Sequence, residues 1–121
     1  MKNKSYETTM LFDFYGDLLT EKQREFFDLY YNEDFSLSEI SENAGITRQG
    51  VRDVVVRAEA ILKNTEEKTG IVRRFMEMQS EVAELESAAA EILSINESQY
   101  GNYRIKELAL IIQETANSLK K

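Results

Sequence analysis

Residues 36–62 read SLSEISENAGITRQGVRDVVVRAEAIL, and they decide the fold. Ser36 is an N-cap, with Glu39 three positions on to complete a capping box. Phe35 before the cap and Ile40 after it have the spacing of a hydrophobic staple. Gly45 then stands where a left-handed residue is wanted and a side chain would cost energy. Thr47 caps a second helix, and Ile46 with Val51 repeats the staple spacing. Two capped helices around one glycine predict a helix-turn-helix, a unit that usually lays its second helix in the DNA major groove.

At about 100° per residue, Val51, Val54, Val55, Ala58, Ile61 and Leu62 share one side of the second helix. Ile40, Ala44 and Ile46 are apolar where the first helix must meet it. Arg48, Gln49, Arg52, Asp53 and Val56 fall on the outer side. Arginine suits guanine and phosphate, glutamine suits adenine, and a valine can meet a thymine methyl group. The caps at Ser36 and Thr47 add two helix N-termini at which phosphate could sit. The candidate nucleic-acid-binding residues are therefore Ser36, Thr47, Arg48, Gln49, Arg52 and Val56. Gly50 lies inside the second helix at a cost of about 1 kcal/mol against alanine. It predicts a close approach, by the residue 36 helix or by a ligand backbone.

Outward from this motif, the 121 residues contain no proline and five glycines, and the preference is helical throughout. Residues 1–5 are expected to fray. A helix is expected over 6–19, with Met10, Phe14 and Leu18 inward, Leu11 and Tyr15 beside them, and Phe12 partly exposed. Thr20 and Gln23 form another capping box. The helix they open carries Phe26, Phe27, Tyr30 and Tyr31 on one wide face, read as core. The second motif helix should run on to a stop at Gly70.

From residue 71, Ile71, Phe75, Met78, Val82, Leu85, Ala89 and Ile92 alternate steps of four and three, a heptad seam. Residues 94–102 are expected as a loop. A last helix over 103–119 should turn Ile105, Leu108, Ile112 and Leu119 inward, with Ala109, Ile111 and Ala116 widening that face. The fold class is all-α, with a helix-turn-helix domain over 1–70 and a helical hairpin over 71–121. The apolar surface of that hairpin exceeds what two helices hide, so it either packs on the chain's own amino-terminal domain or, as the favoured expectation, is the dimerisation region of a homodimer.

There is no cysteine and no histidine. That excludes thiol chemistry, Ser-His-Asp chemistry and the common zinc sites. Glu33–Asp34 and Glu66–Glu67 are adjacent pairs, which on a helix diverge by about 100° and form no dyad. No catalytic residue, cofactor or metal is expected. The apolar runs are too short to span a bilayer, and a cytoplasmic protein without membrane contact is expected.

The net charge of −7 opposes the simplest reading of the motif, because phosphate neutralisation supplies most sequence-independent affinity. The acid is not confined to a tail. Residues 1–70 hold nine Lys or Arg against fourteen Asp or Glu.

Residues 11–59 resemble the amino-terminal part of the YlxM family, small bacterial proteins similar to region four of sigma factors. The resemblance rests on LTEKQ, on the pair Phe26–Phe27, on YY…DFSLSEI, and on TRQGV followed by RAE. It covers most of the first 70 residues, and the rest is alike in length and helical character. It implies a sigma-region-four-like fold and a regulatory helix-turn-helix protein associated with the signal recognition particle pathway. It brings no catalytic residues. The reading-helix positions carried over are Thr47, Arg48, Gln49, Val51 and Arg52. Many members have alanine in place of Gly50 and an aromatic in place of Arg52, which alters the reading face. The partners it implies are DNA or the particle's RNA. The alternative is an adaptor that binds the particle's GTPase, or another protein, without DNA recognition.

Overall fold

The computed structural model describes residues 6–120, so the expected fraying of residues 1–5 lies outside them. Six α-helices follow one another: α1 (Tyr6–Tyr15), α2 (Glu21–Tyr31), α3 (Leu37–Ala44), α4 (Arg48–Thr69), α5 (Ile71–Ile95) and α6 (Tyr103–Ser118). No strand occurs among the described residues, and the fold is all-α. The chain divides into two compact units, Met1–Val72 and Arg73–Lys121.

Local chemistry sets the helix ends of the first unit. The Thr20 hydroxyl accepts from the Gln23 amide at 3.2 Å, and the Gln23 side chain accepts from the Thr20 amide at 3.0 Å. Gly70 ends α4 at φ 63°, its N–H donating to the Glu66 carbonyl at 2.8 Å. α1 is shorter than its periodicity suggests. Gly16 lets the chain tighten into a 3₁₀ turn, Gly16–Leu18, closed by a bond from the Leu19 amide to the Gly16 carbonyl. Along α1 the inward side is Met10, Leu11 and Tyr15, with Phe14 exposed, and past the turn Leu18 is exposed while Leu19 is buried. Phe12 is half-buried, stacked on Phe27 with centroids 5.2 Å apart.

α4 is the beam of this unit and packs on α1, α2 and α3. Val51, Val55, Ala58 and Leu62 face the core, with the aromatics of α2 and Ile40 of α3 against them. Two tyrosines finish the contact with polar tips. Tyr31 donates to Glu59 at 3.0 Å. Tyr15 donates to Glu66 at 2.6 Å, its oxygen lies 2.7 Å from the Thr69 hydroxyl, and Glu66 also accepts from the Val72 amide at 3.0 Å.

Burial, and after it the hydrogen bond to a carboxylate, raises the titration of both phenols above the ordinary tyrosine range. An acid whose folded pKa is raised favours the fold while protonated. Its contribution is complete below about pH 10 and is lost as pH rises through the folded value. Urea midpoints measured from pH 8 upward should therefore fall above pH 10, and less steeply in Tyr31→Phe than in the native chain. Parallel curves would refute the assignment.

In the second unit, α5 and α6 form a hairpin whose turn is more ordered than a loop. The chain passes from α5 into a single π-type turn, Asn96–Tyr100, and reverses at Gly101, φ 58°. Asn96 is buried and stitches the reversal: its amide donates to the Asn102 carbonyl at 2.8 Å and accepts from the Asn102 N–H at 3.0 Å. Asn96→Ala should destabilise the hairpin by about 1–3 kcal/mol, read as a lower melting midpoint, because two bonds go and the Asn102 groups stay under-satisfied. An unchanged midpoint would show that Asn96 does not hold the turn.

The seam inferred from residue 71 onward is corrected by the hairpin. Val82 and Ala89 are buried, but Ile71, Met78, Leu85 and Ile92 are exposed. On α6 the inward residues are Ala109 and Ala116, while Ile105, Leu108, Ile112 and Leu119 are exposed. Small residues take the inward positions, and the bulky ones are turned aside.

Candidate nucleic-acid interface

The turn between α3 and α4 is built as a helix-turn-helix requires. Ser36 accepts from the Glu39 amide at 3.0 Å, and Glu39 accepts from the Ser36 amide at 3.1 Å. Gly45 closes α3 at φ 71° with its N–H on the Ser41 carbonyl. Thr47 then accepts from the Gly50 amide at 2.9 Å. Ile40 and Val51 are fully buried between the helices; Ile46 and Val54 are half-buried, and Ala44 is exposed. Gly50 does not serve an approach by α3. A β-carbon there would meet Thr47 Oγ1 at 3.1 Å and Ile46 at 3.5 Å, so the tight neighbour is its own cap.

Ser36, Thr47, Arg48, Gln49, Arg52 and Val56 are all exposed, Val56 by 39%. They do not offer equivalent chemistry. The N-terminus of α3 already holds an anion, the Glu39 carboxylate, and a phosphate would have to displace it. The first turn of α4 contains no acid, so its free amides, beside Arg48, are the better place for one. Gln49 donates to Asp53 at 3.0 Å. An exposed bond at this spacing is worth about 0.2–0.5 kcal/mol, so the amide can exchange it for a base.

Arg57 belongs with this face, and the sequence-based set omits it. It lies about 40° round the helix from Asp53, within the outer side, and is exposed. Among the described residues, Arg48, Arg52 and Arg57 make no ion pair. The carboxylates of α4 are largely engaged. Glu59 takes Tyr31 and, at 2.7 Å, Lys63; Glu66 takes Tyr15 and Val72; Asp53 takes Gln49. The outer face of the first half of α4 is thus locally cationic on an acidic chain.

Of the adjacent acids, Glu66 turns in to Tyr15 while Glu67 is exposed, and Glu33–Asp34 lies beyond the end of α2 with Asp34 at φ 61°, not on a helix. Among the described residues no cluster of Asp and Glu could hold a metal ion. No described helix is long and apolar enough to cross a membrane.

Comparison with known proteins agrees with this architecture. A family model, UPF0122, with the description "Putative helix-turn-helix protein, YlxM / p13 like", matches residues 2–100. That range takes in the whole motif and α5, and ends before α6. A UPF0122 protein of Thermoanaerobacter sp. (strain X514) is 43% identical over 113 residues, 93% of this chain and 91% of the relative. One from Caldanaerobacter subterraneus subsp. tengcongensis is 52% identical over 77 residues, 64% of this chain and 66% of the relative. One from Bacillus cereus (strain AH187) is 43% identical over 97 residues, 80% and 88% of the two chains.

Proposed function

The chain belongs to the UPF0122 family of YlxM/p13-like helix-turn-helix proteins, and from that premise we propose that it is a non-catalytic regulator that binds nucleic acid through α4. The observation that carries this is the set of exposed, unpaired arginines, Arg48, Arg52 and Arg57, on a helix whose carboxylates are mostly engaged. Arg48 and the acid-free first turn of α4 take phosphate. Arg52 and Gln49 reach base edges, and Val56 supplies an apolar contact. Ser36 and Thr47 fix the geometry as caps. The ligand is DNA or the RNA of the signal recognition particle. The link to that pathway follows the family resemblance rather than any residue of the site.

Val56 favours a second reading. An apolar side chain 39% exposed in the middle of the face also suits an adaptor docking on a protein, such as the particle's GTPase.

Titration of the chain against genomic DNA fragments and the particle's RNA, over a salt series, separates the two. A nucleic-acid ligand gives an affinity that falls steeply with salt. No measurable affinity at low salt, together with salt-tolerant binding to the GTPase, would refute the nucleic-acid reading.

A further inference from the structure

The hairpin of the second unit hides little. Its contact buries Val82 and Ala89 of α5 and Ala109 and Ala116 of α6, one valine and three alanines. The large apolar residues stand beside this contact. On α5 they are Met78, Leu85 and Ile92, 36%, 50% and 42% exposed. On α6 they are Ile105, Leu108, Ile112 and Leu119, 39%, 43%, 41% and 47% exposed.

Their placement follows one rule in both helices. At 100° per residue, Met78, Leu85 and Ile92 sit about 40°, 60° and 80° to one side of Val82. Ile105, Ile112 and Leu119 sit at the same offsets, in the same sense, from Ala109. Because α5 and α6 run antiparallel, equal rotations turn both stripes to the same side of the hairpin. The other side carries Gln79, Lys106, Asn117 and the Glu86–Lys120 pair at 2.7 Å. One face of the hairpin is therefore a continuous apolar stripe, and contiguous exposed apolar surface of this kind marks an interaction site.

We propose that this face docks on the same face of a second copy of the chain, closing a four-helix bundle. Two features single out that occupant. First, Met78, Val82, Leu85, Ala89 and Ile92 step by four and three, as do Ile105, Ala109, Ile112, Ala116 and Leu119. Inner and exposed residues together form the knobs-into-holes seams of antiparallel helices. Second, the borders are self-complementary. Glu77, Glu81 and Glu84 edge the α5 stripe, whereas Ile111, Thr115 and Ser118 edge the α6 stripe near their level without a carboxylate. A two-fold axis along the helices sets α5 of each copy on α6 of the other. An axis across them would set glutamates against glutamates. The inference is independent of the ligand assigned to α4.

Sedimentation or light scattering of the full chain over about 1–100 µM tests it. The expected mass is twice 14.0 kDa, falling on dilution. Ile112→Asp and Leu85→Asp should give monomers with helical circular dichroism, and Leu110→Asp, on the opposite side of α6, should stay dimeric. Should the aspartates cost helix, Leu108→Gln decides by weakening the dimer at least tenfold. A native mass of 14.0 kDa throughout, or Leu110→Asp dissociating as readily as Ile112→Asp, overturns the proposal. Glu81→Lys should leave the dimer affinity within a few-fold of native, and a markedly tighter dimer would overturn the α5-on-α6 pairing.

Discussion

Phe27→Ala is expected to cost the helix-turn-helix unit about 3–5 kcal/mol. Phe27 is 1% exposed and is clasped by two rings, Phe12 with centroids 5.2 Å away and Tyr31 at 4.6 Å. Truncation removes the transfer energy of a phenyl group, leaves a cavity that α2 cannot close, and frees Phe12 to leave the surface it covers. A domain of this size holds only about 5–15 kcal/mol of stability. The loss should thus appear as a urea midpoint shifted by a large fraction of its native value. The effect should reach the site too, because α2 packs on α4 and fixes the side from which the arginines project. A loss under about 1 kcal/mol would mean that the aromatic face of α2 is not the centre of the core.

Replacing Arg48 and Arg52 together by alanine is expected to lower nucleic-acid affinity at low salt about a hundredfold or more. Each contact of this kind is worth about 1–3 kcal/mol. The slope of log affinity against log salt should fall by about one, for the phosphate contact of Arg48, while the loss of Arg52 relaxes base preference. Stability should barely change, since both side chains are exposed and make no ion pair among the described residues; substitutions of that type usually stay within about 0.5 kcal/mol. That separation makes the variant informative, because reduced binding cannot then be ascribed to unfolding. Arg57→Ala should behave as a weaker version of the same change. If affinity and slope match the native chain, α4 does not carry the binding.

How much of this was legible in the sequence depended on whether the signal was local. The capping boxes at Thr20 and Ser36, the left-handed stops at Gly45 and Gly70, and the buried side of α4 all follow from residues within one turn of each other. The outward placement of Arg48, Gln49, Arg52 and Val56 was equally readable from helical angle. Arg57 was readable by the same count and lay one residue past the set chosen. The hairpin was harder. Periodicity locates an apolar stripe but not which flank of it meets the neighbouring helix. Ala89, Ala109 and Ala116 took the buried positions, and the larger side chains beside them stayed exposed. The state of each carboxylate was not readable either, because Glu59 and Glu66 are engaged by tyrosines 28 and 51 residues away.

The bond from the Val72 amide to Glu66 has a consequence for the order in which the protein is made. Val72 is 1% exposed, and the buried side chains of the first unit all lie at or before it. A chain leaving the ribosome has its first core complete once that residue is clear, before any of the hairpin has emerged. The motif can close on itself during synthesis. The apolar face of the hairpin then follows on a chain whose helix-turn-helix unit has already closed.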